Sequence, residues 1–119
     1  MTCLVQSFEA KNFISHLTPL ELDHFLKLKT ITEQYLFLKE LTYIPLKLTD
    51  MVKVNTWKEV EEYAHEMKDG ILLFWGDTHY TGHALPVTNG KIHWLPFDKN
   101  TELSKYLVNL TVSFIKRDN

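Results

Sequence analysis

The stretch over residues 70–100, GILLFWGDTHYTGHALPVTNGKIHWLPFDKN, constrains the fold of this chain more than any other part of the sequence. An uninterrupted apolar run over residues 71–75 predicts a buried strand, and the segments 83–87 and 92–97 predict two more strands. Between the last two lies Asn89-Gly90, the dipeptide that two-residue hairpin turns favour because both of its residues tolerate a positive φ. The stretch therefore predicts three short strands, the last two of which form an antiparallel hairpin.

The N-terminal part of the chain carries helical patterns that begin at capping signals. Apolar residues at near-helical spacing predict a first helix over residues 2–17, with Thr2 as its N-cap and Cys3 in its first turn. A capping box with Pro at the first helical position begins at Thr18, and a second capping box begins at Thr30. These two signals predict either two short helices or one kinked helix.

The helical pattern is interrupted in the middle of the chain, before the segment that most clearly predicts a helix. Pro45 disfavours a helix interior or a central strand, so residues 41–48 are predicted to form a loop or an edge strand. Thr56 begins a third capping box and the amphipathic segment 57–68, whose pattern predicts a helix. Gly70 is the expected C′ residue of that helix.

The order of the predicted elements indicates the fold class. A turn is predicted at residues 76–78, a helix over 103–110 and a last short strand over 112–115. Helical patterns first and antiparallel strands after them indicate an α+β fold, in which N-terminal helices pack on a small antiparallel sheet. The 119 residues fit a single domain, with a helical part over about 1–69 and a sheet part over about 70–119.

Charge and composition exclude several classes of partner. Hydrophobic residues make up 45% and charged residues 24% of the chain, the balance of an ordinary globular protein. A formal net charge of −2 gives no basis for a nucleic-acid or anionic-membrane partner. The longest apolar run is too short to span a bilayer. The oligomeric state stays open.

The single cysteine and the N-terminus bear on the compartment. One cysteine excludes an internal disulfide and a cysteine-based zinc site, and it suits a reducing environment. The N-terminal residues MTCLVQSFEAKN contain neither a basic region nor a long apolar region of the kind found in signal peptides. We therefore expect a cytoplasmic protein, or one that is secreted without a cleavable signal peptide.

The hairpin places a histidine and an aspartate near each other. If Thr88 faces Lys91 across a two-residue turn, His83 faces Pro96, and Asp98 is the diagonal neighbour of His83 on the same face of the sheet. A carboxylate in that position can accept a hydrogen bond from one ring nitrogen of His83 and leave the other to act as a base. This arrangement is the orienting half of a nucleophilic triad.

Cys3 is the candidate nucleophile for that half-site. In the first turn of a helix, a thiolate is favoured by the unpaired backbone N–H groups and by the helix dipole. A protonated histidine nearby would favour the thiolate further. Cysteine, histidine and aspartate are the residue types that acyl transfer through a thioester requires.

The same residues carry a resemblance to a known family. A helix followed by DGILLFW, TGHALPV and NGKIHWLPFDKN resembles the C-terminal half of papain-like cysteine hydrolases. It is most similar to the YopT-type effector proteases, the related glutamine deamidases and the papain-fold toxin domains. In those families a Gly-His or Ser-His pair opens a strand, as in Gly82-His83-Ala84 here. A motif close to Phe-Asp-Pro-Asn ends a later strand, where this chain has Phe97-Asp98-Lys99-Asn100.

The resemblance implies a function and a set of site residues. It implies a thiol hydrolase without a cofactor that cleaves a peptide bond or deamidates a glutamine of a protein substrate. His83 would be the general base, Asp98 its orienting acid and Cys3 the nucleophile. Only Met1 and Thr2 precede Cys3, so the segment that supplies an oxyanion donor in the family is not identifiable. Three aromatic residues are candidates for the walls of a substrate cleft: Trp75, Tyr80 and Trp94.

Other interpretations of these residues remain open. A lone cysteine is more often a small buried hydrophobe than a nucleophile, and an aspartate after a strand is often a turn residue. The chain would then be a non-catalytic protein-binding module, such as a toxin-immunity or effector-accessory protein, or a fragment of a larger enzyme. A metal site at His79, His83 and His93 is not expected, because His93 faces away from His83 in the predicted register and no further ligand completes the set.

Overall fold

The structure, a computed structural model, describes residues 3–75, 82–93 and 111–118. Within these ranges four helices and a six-stranded antiparallel sheet form an α+β fold, as predicted. The helices are α1 (Cys3–Ala10), α2 (Pro19–Lys27), α3 (Ile31–Leu41) and α4 (Trp57–Met67). The strands are β1 (Leu46–Leu48), β2 (Val52–Lys53), β3 (Gly70–Trp75), β4 (His83–Thr88), β5 (Lys91–Ile92) and β6 (Thr111–Arg117).

The three predicted capping signals begin three helices. The Thr18 side chain accepts a hydrogen bond from the Glu21 N–H, and the Glu21 carboxylate accepts one from the Thr18 N–H, which completes a capping box at α2. Thr30 and Thr56 accept from backbone N–H groups three residues later in the same way. The Thr30 cap settles the alternative left open by the sequence, because α2 and α3 are two separate helices.

The first helix is shorter than the sequence pattern predicts. α1 ends at Ala10 because Asn12 adopts a left-handed conformation with φ of 58°. The Phe13 N–H then donates to the Phe8 carbonyl at 2.8 Å, and the Asn12 N–H donates to the Glu9 carbonyl at 3.0 Å. This is a Schellman motif with Asn at C′. The prediction of a helix to residue 17 is therefore wrong, since the apolar spacing continues beyond the cap.

The end of α4 also differs from the prediction. The expected C′ residue, Gly70, begins β3 instead, and the chain turns two residues earlier at Lys68 with φ of 72° and ψ of −69°. The Asp69 N–H donates to the Met67 carbonyl at 3.0 Å, so Lys68 is the central residue of a γ-turn with positive φ. That conformation is rare and strained for a residue with a side chain.

The sheet is built around β6, which the sequence predicts only as a last short strand. Its strand order is β1-β6-β3-β4-β5, and β2 also pairs with β6. β6 therefore pairs with three strands, all antiparallel. β1 lies at the edge of the sheet, in agreement with the prediction that Pro45 confines this segment to a loop or an edge strand.

The predicted hairpin is confirmed within the described residues. Thr88 pairs with Lys91 and Val87 with Ile92. Asn89 and Gly90 have φ of 53° and 75°, the positive values that a type I′ turn requires at both central positions. The continuation of this register to Asp98 lies outside the described residues. So do the predicted turn at residues 76–78 and the predicted helix at 103–110.

Both faces of the central sheet are covered. Ile71, Leu72 and Leu73 are fully buried although they alternate between the two faces of β3. One face carries Phe74 and Phe114, which contact the rings of two α4 residues. The described helices contain none that is long and apolar enough to cross a membrane.

Candidate active site

His83 is the first residue of β4 and its side chain is buried, with 6% of its surface exposed. Its direct partner across the sheet is Phe74 of β3. Directly paired residues of antiparallel strands project to the same face, so His83 shares a face with Phe74 and, two residues along β4, with Leu85. This is the sheet face on which α4 packs.

The glycine before His83 has a steric reason to be there. A Cβ atom at Gly82 would lie 2.9 Å from the Ile31 side chain at the start of α3 and 3.1 Å from the Phe74 carbonyl oxygen. Both distances are shorter than ordinary van der Waals contacts. Gly82 therefore lets the beginning of β4 approach α3 and β3 closely, which fixes the backbone from which His83 projects.

The helix that carries Cys3 packs against the strand that carries His83. Its direction follows from Lys11, which comes directly after α1 and donates to the Thr88 hydroxyl at 2.8 Å. Because Thr88 is the last residue of β4, the C-terminal end of α1 lies near the C-terminal end of β4. The two elements therefore run in the same direction, and their first residues, Cys3 and His83, lie toward the same end of the sheet. Five residue steps separate His83 from Thr88, so strand alternation places the Thr88 side chain that Lys11 contacts on the face opposite to His83.

The lengths of the two elements agree with this arrangement. The eight residue steps from Cys3 to Lys11 advance about 12 Å in a helix, and the five steps from His83 to Thr88 advance about 16 Å in a strand. Cys3 is in the first turn of α1, as predicted, and only 3% of its surface is exposed. The thiol is a buried group in this structure.

Trp57 lies beside the site, although sequence reasoning assigned it only to the apolar face of a helix. Its ring stacks on Phe74, the strand partner of His83, with ring centroids 6.2 Å apart and an interplanar angle of 10°. Its position directly after the Thr56 cap was the only sequence indication that it lies at a helix end. Trp57 also lines a cleft of about 570 Å³ between α4 and the hairpin, together with Lys58, Glu61, Glu62, His65, Glu66, Gly90, Lys91 and Ile92.

Trp75, a predicted cleft residue, is half-buried at the end of β3. Its indole N–H donates to the Ser113 hydroxyl at 2.8 Å. Strand alternation places Trp75 on the opposite face of β3 from Phe74, and therefore on the opposite face from His83. A role for Trp75 in substrate binding stays a prediction.

The remaining predicted site residues are Asp98, Tyr80 and Trp94, and they lie outside the described residues. The structure thus locates Cys3, His83 and Trp75 of the predicted set. In the described part of the chain, no three side chains of His, Cys, Asp or Glu come together as a metal-binding group.

Comparison with known proteins gives no relative for this chain. No protein-family model matches it, and no curated protein or solved structure is significantly similar to it. A function is therefore inferred from the chain's own residues.

Proposed function

We propose that this chain is a small papain-like thiol hydrolase that acts on an amide bond of a protein substrate. The observation that carries the proposal is the parallel packing of α1 on β4, which puts the cysteine-bearing end of the helix and the histidine-bearing end of the strand at the same end of the sheet. A thiolate at a helix N-terminus with an imidazole close by is the arrangement that activates a cysteine for acyl transfer.

The chemistry assigned to these residues proceeds in two stages. The Cys3 thiolate attacks the carbonyl carbon of the amide, and the protonated His83 donates its proton to the leaving nitrogen as the C–N bond breaks. A water molecule then attacks the thioester, with His83 as the base, and the acid product leaves while the Cys3 thiol is regenerated. Asp98 holds the His83 ring in the required tautomer. Peptide cleavage and glutamine deamidation differ only in whether an amine or ammonia leaves.

The position of Trp57 supports a site at this end of the sheet. Its ring extends the apolar surface next to the strand pair that includes His83, and the cleft that it lines opens between α4 and the hairpin. An apolar wall beside the reacting groups excludes water and strengthens electrostatic interactions there. We assign Trp57 to the wall of the substrate cleft.

Alkylation of Cys3 tests the proposal. In mild acid, iodoacetamide is expected to modify Cys3 of the natural chain at least about tenfold faster than Cys3 of His83→Ala or of Asp98→Ala, because pairing with His83 keeps part of the cysteine as thiolate. The rates are compared between variants of the same chain because Cys3 is buried, so that access to the thiol is common to all of them. The matched control is His93→Ala, which removes an exposed histidine at the end of the hairpin. The modification is measured by intact-mass spectrometry.

The burial of the two side chains favours a second function. Cys3 and His83 are both almost fully buried, and a cysteine buried in apolar surroundings is inert. In that case the chain is a non-catalytic protein-binding module on a related scaffold. Slow alkylation of Cys3 that is unchanged in His83→Ala and Asp98→Ala would support the binding module and overturn the hydrolase.

A further inference from the structure

A second cleft lies at the opposite end of the sheet from His83. It has a volume of about 480 Å³ and forms where the segment after α1, the turn after α4 and the end of β6 meet. Its volume is within the range of small-molecule sites. The residues that line it are Lys11, Phe13, Met67, Lys68, Asp69, Gly70, Lys116 and Arg117.

The charge of this cleft is strongly positive although the chain as a whole carries a net charge of −2. Three lysines and one arginine line it, and Asp69 is the only acid among its described lining residues. Asp69 is engaged by Lys11, whose ammonium group donates to the carboxylate at 3.1 Å while the lysine side chain is 13% exposed. The charges of Lys68, Lys116 and Arg117 have no acidic partner within the described residues.

One of the cationic groups, the Arg117 guanidinium, is held in place by an aromatic ring. The Arg117 guanidinium carbon lies 5.7 Å from the centroid of the Phe13 ring, in the range of a cation–π contact. Phe13 itself is buried and packs edge-on against Phe8 of α1. A guanidinium over a fixed ring loses less freedom when it binds a ligand than one on a mobile side chain.

Two positively charged residues of this cleft occupy positions that lower the stability of the fold. Lys68 occupies the strained centre of the γ-turn after α4, a position that glycine would adopt more easily. Lys116 of β6 is paired directly with Lys47 of β1, and like charges in that position repel. Strained backbone of this kind is often found where a ligand is bound.

We propose that this cleft binds a small molecule that carries more than one phosphoryl group, of the pyrophosphate or bisphosphate class. Three uncompensated cations match the charge of a pyrophosphate better than that of a monocarboxylate. Arg117 offers the planar set of donors that binds two phosphoryl oxygens at once, and Lys68 and Lys116, the latter from the opposite face of β6, supply point charges. Met67 offers apolar surface to the rest of the ligand. The site does not depend on the proposed hydrolase activity.

Titration calorimetry of the full chain with pyrophosphate in low-salt buffer tests this proposal. We expect binding of one pyrophosphate per chain, and affinity that falls as sodium chloride is added. Arg117→Gln should weaken binding by about tenfold or more, the effect of losing a charged hydrogen-bond donor. The control Lys29→Gln removes an equal charge from an exposed site between α2 and α3 and should change affinity by less than about twofold.

A second variant separates binding from folding. Lys68→Gly should raise the thermal midpoint of unfolding, because glycine relieves the strain of the γ-turn, and it should also weaken pyrophosphate binding. A variant that is more stable yet binds less tightly excludes loss of fold as the cause.

Four outcomes would overturn the proposal. They are the absence of pyrophosphate binding, equal weakening by Lys29→Gln and Arg117→Gln, equally tight binding of citrate, and tighter binding of a phosphoserine peptide than of pyrophosphate. The citrate result would indicate nonspecific attraction of anions, and the peptide result would indicate a protein partner.

Discussion

At the scale of single residues, Tyr35 shows how a buried polar group costs stability. Its side chain is 4% exposed, and its hydroxyl has no hydrogen-bond partner in the described structure. A buried hydroxyl that has lost its water without gaining a partner is destabilising. We expect Tyr35→Phe to increase the free energy of unfolding by about 1 kcal/mol, measured by urea denaturation.

Tyr63 provides the matched control, because its hydroxyl is hydrogen-bonded to the Thr49 hydroxyl at 3.0 Å. Tyr63→Phe should therefore decrease the free energy of unfolding by about 1 kcal/mol. Burial raises the pKa of Tyr35 above its ordinary value of 10.0, and it raises the pKa of Tyr63 with a smaller opposing effect of the Thr49 hydrogen bond. Equal effects of the two substitutions would contradict this interpretation.

The direction of the pH dependence follows from these raised values. Below pH 10 both tyrosines are neutral in the folded and unfolded chain, so their contribution to stability is complete. Above it the unfolded chain loses its protons first, and stability falls as the pH rises through the folded-state pKa. Tyr35→Phe removes one of the two groups and should make the alkaline loss of stability shallower.

At the scale of elements, the end of α1 depends on the backbone conformation of one residue. Asn12 is the left-handed residue of the Schellman motif that stops the helix at Ala10. Asn12→Ala should lower the free energy of unfolding by about 1 kcal/mol, because alanine tolerates a positive φ poorly. Asn12→Gly keeps that conformation accessible and should be close to neutral. The pair is compared by thermal unfolding, and a loss in both variants would mean that the asparagine side chain, rather than its backbone, matters.

The sequence predicts the helix starts and the hairpin turn correctly. The Thr18, Thr30 and Thr56 caps and the Asn89-Gly90 turn were predicted because each depends on a few adjacent side chains. The end of α1 was missed because asparagine at C′ is a weaker indication than glycine.

The order of the strands in the sheet depends on pairing between distant parts of the chain, which the sequence does not reveal. β6 lies inside the sheet because it pairs with strands more than thirty residues before it in the chain, and no local pattern encodes that choice. β2 is only two residues long and carries no strand pattern. In the site, the packing of α1 on β4 places the first residues of both elements at the same end of the sheet, and the burial of Cys3 and His83 also depends on tertiary packing that no local pattern encodes.

At the scale of the whole molecule, the two proposed sites lie at opposite ends of β4. The His83 end of β4 lies at the same end of the sheet as the start of α1, and the Thr88 end is connected through Lys11 to the basic cleft. The sheet between them has central strands whose middle residues are buried, while α1 is a single helix of eight residues that packs on its surface. Opening of α1 alone therefore exposes much less surface than unfolding of the whole domain.

This difference in exposed surface yields a prediction about Cys3. Because Cys3 is buried, a reagent reaches its thiol only when some part of the structure opens. If the thiol belongs to a working site, a local movement of α1 should suffice, and the labelling rate should depend on urea with a slope well below the equilibrium m-value of unfolding. The rate is measured by mass spectrometry at urea concentrations below the unfolding transition.

The same measurement separates a catalytic cysteine from one that belongs only to the core. A core cysteine reacts through global unfolding, so its labelling rate would follow urea with the full equilibrium m-value. Ile71→Val, a substitution in the buried centre of β3, gives the control: it should lower the global free energy of unfolding by about 1 kcal/mol. Labelling through local opening would be nearly unchanged in this variant, whereas labelling through global unfolding would accelerate about fivefold. An accelerated rate together with the full slope would exclude the hydrolase, because the thiol would then be accessible only in the unfolded chain.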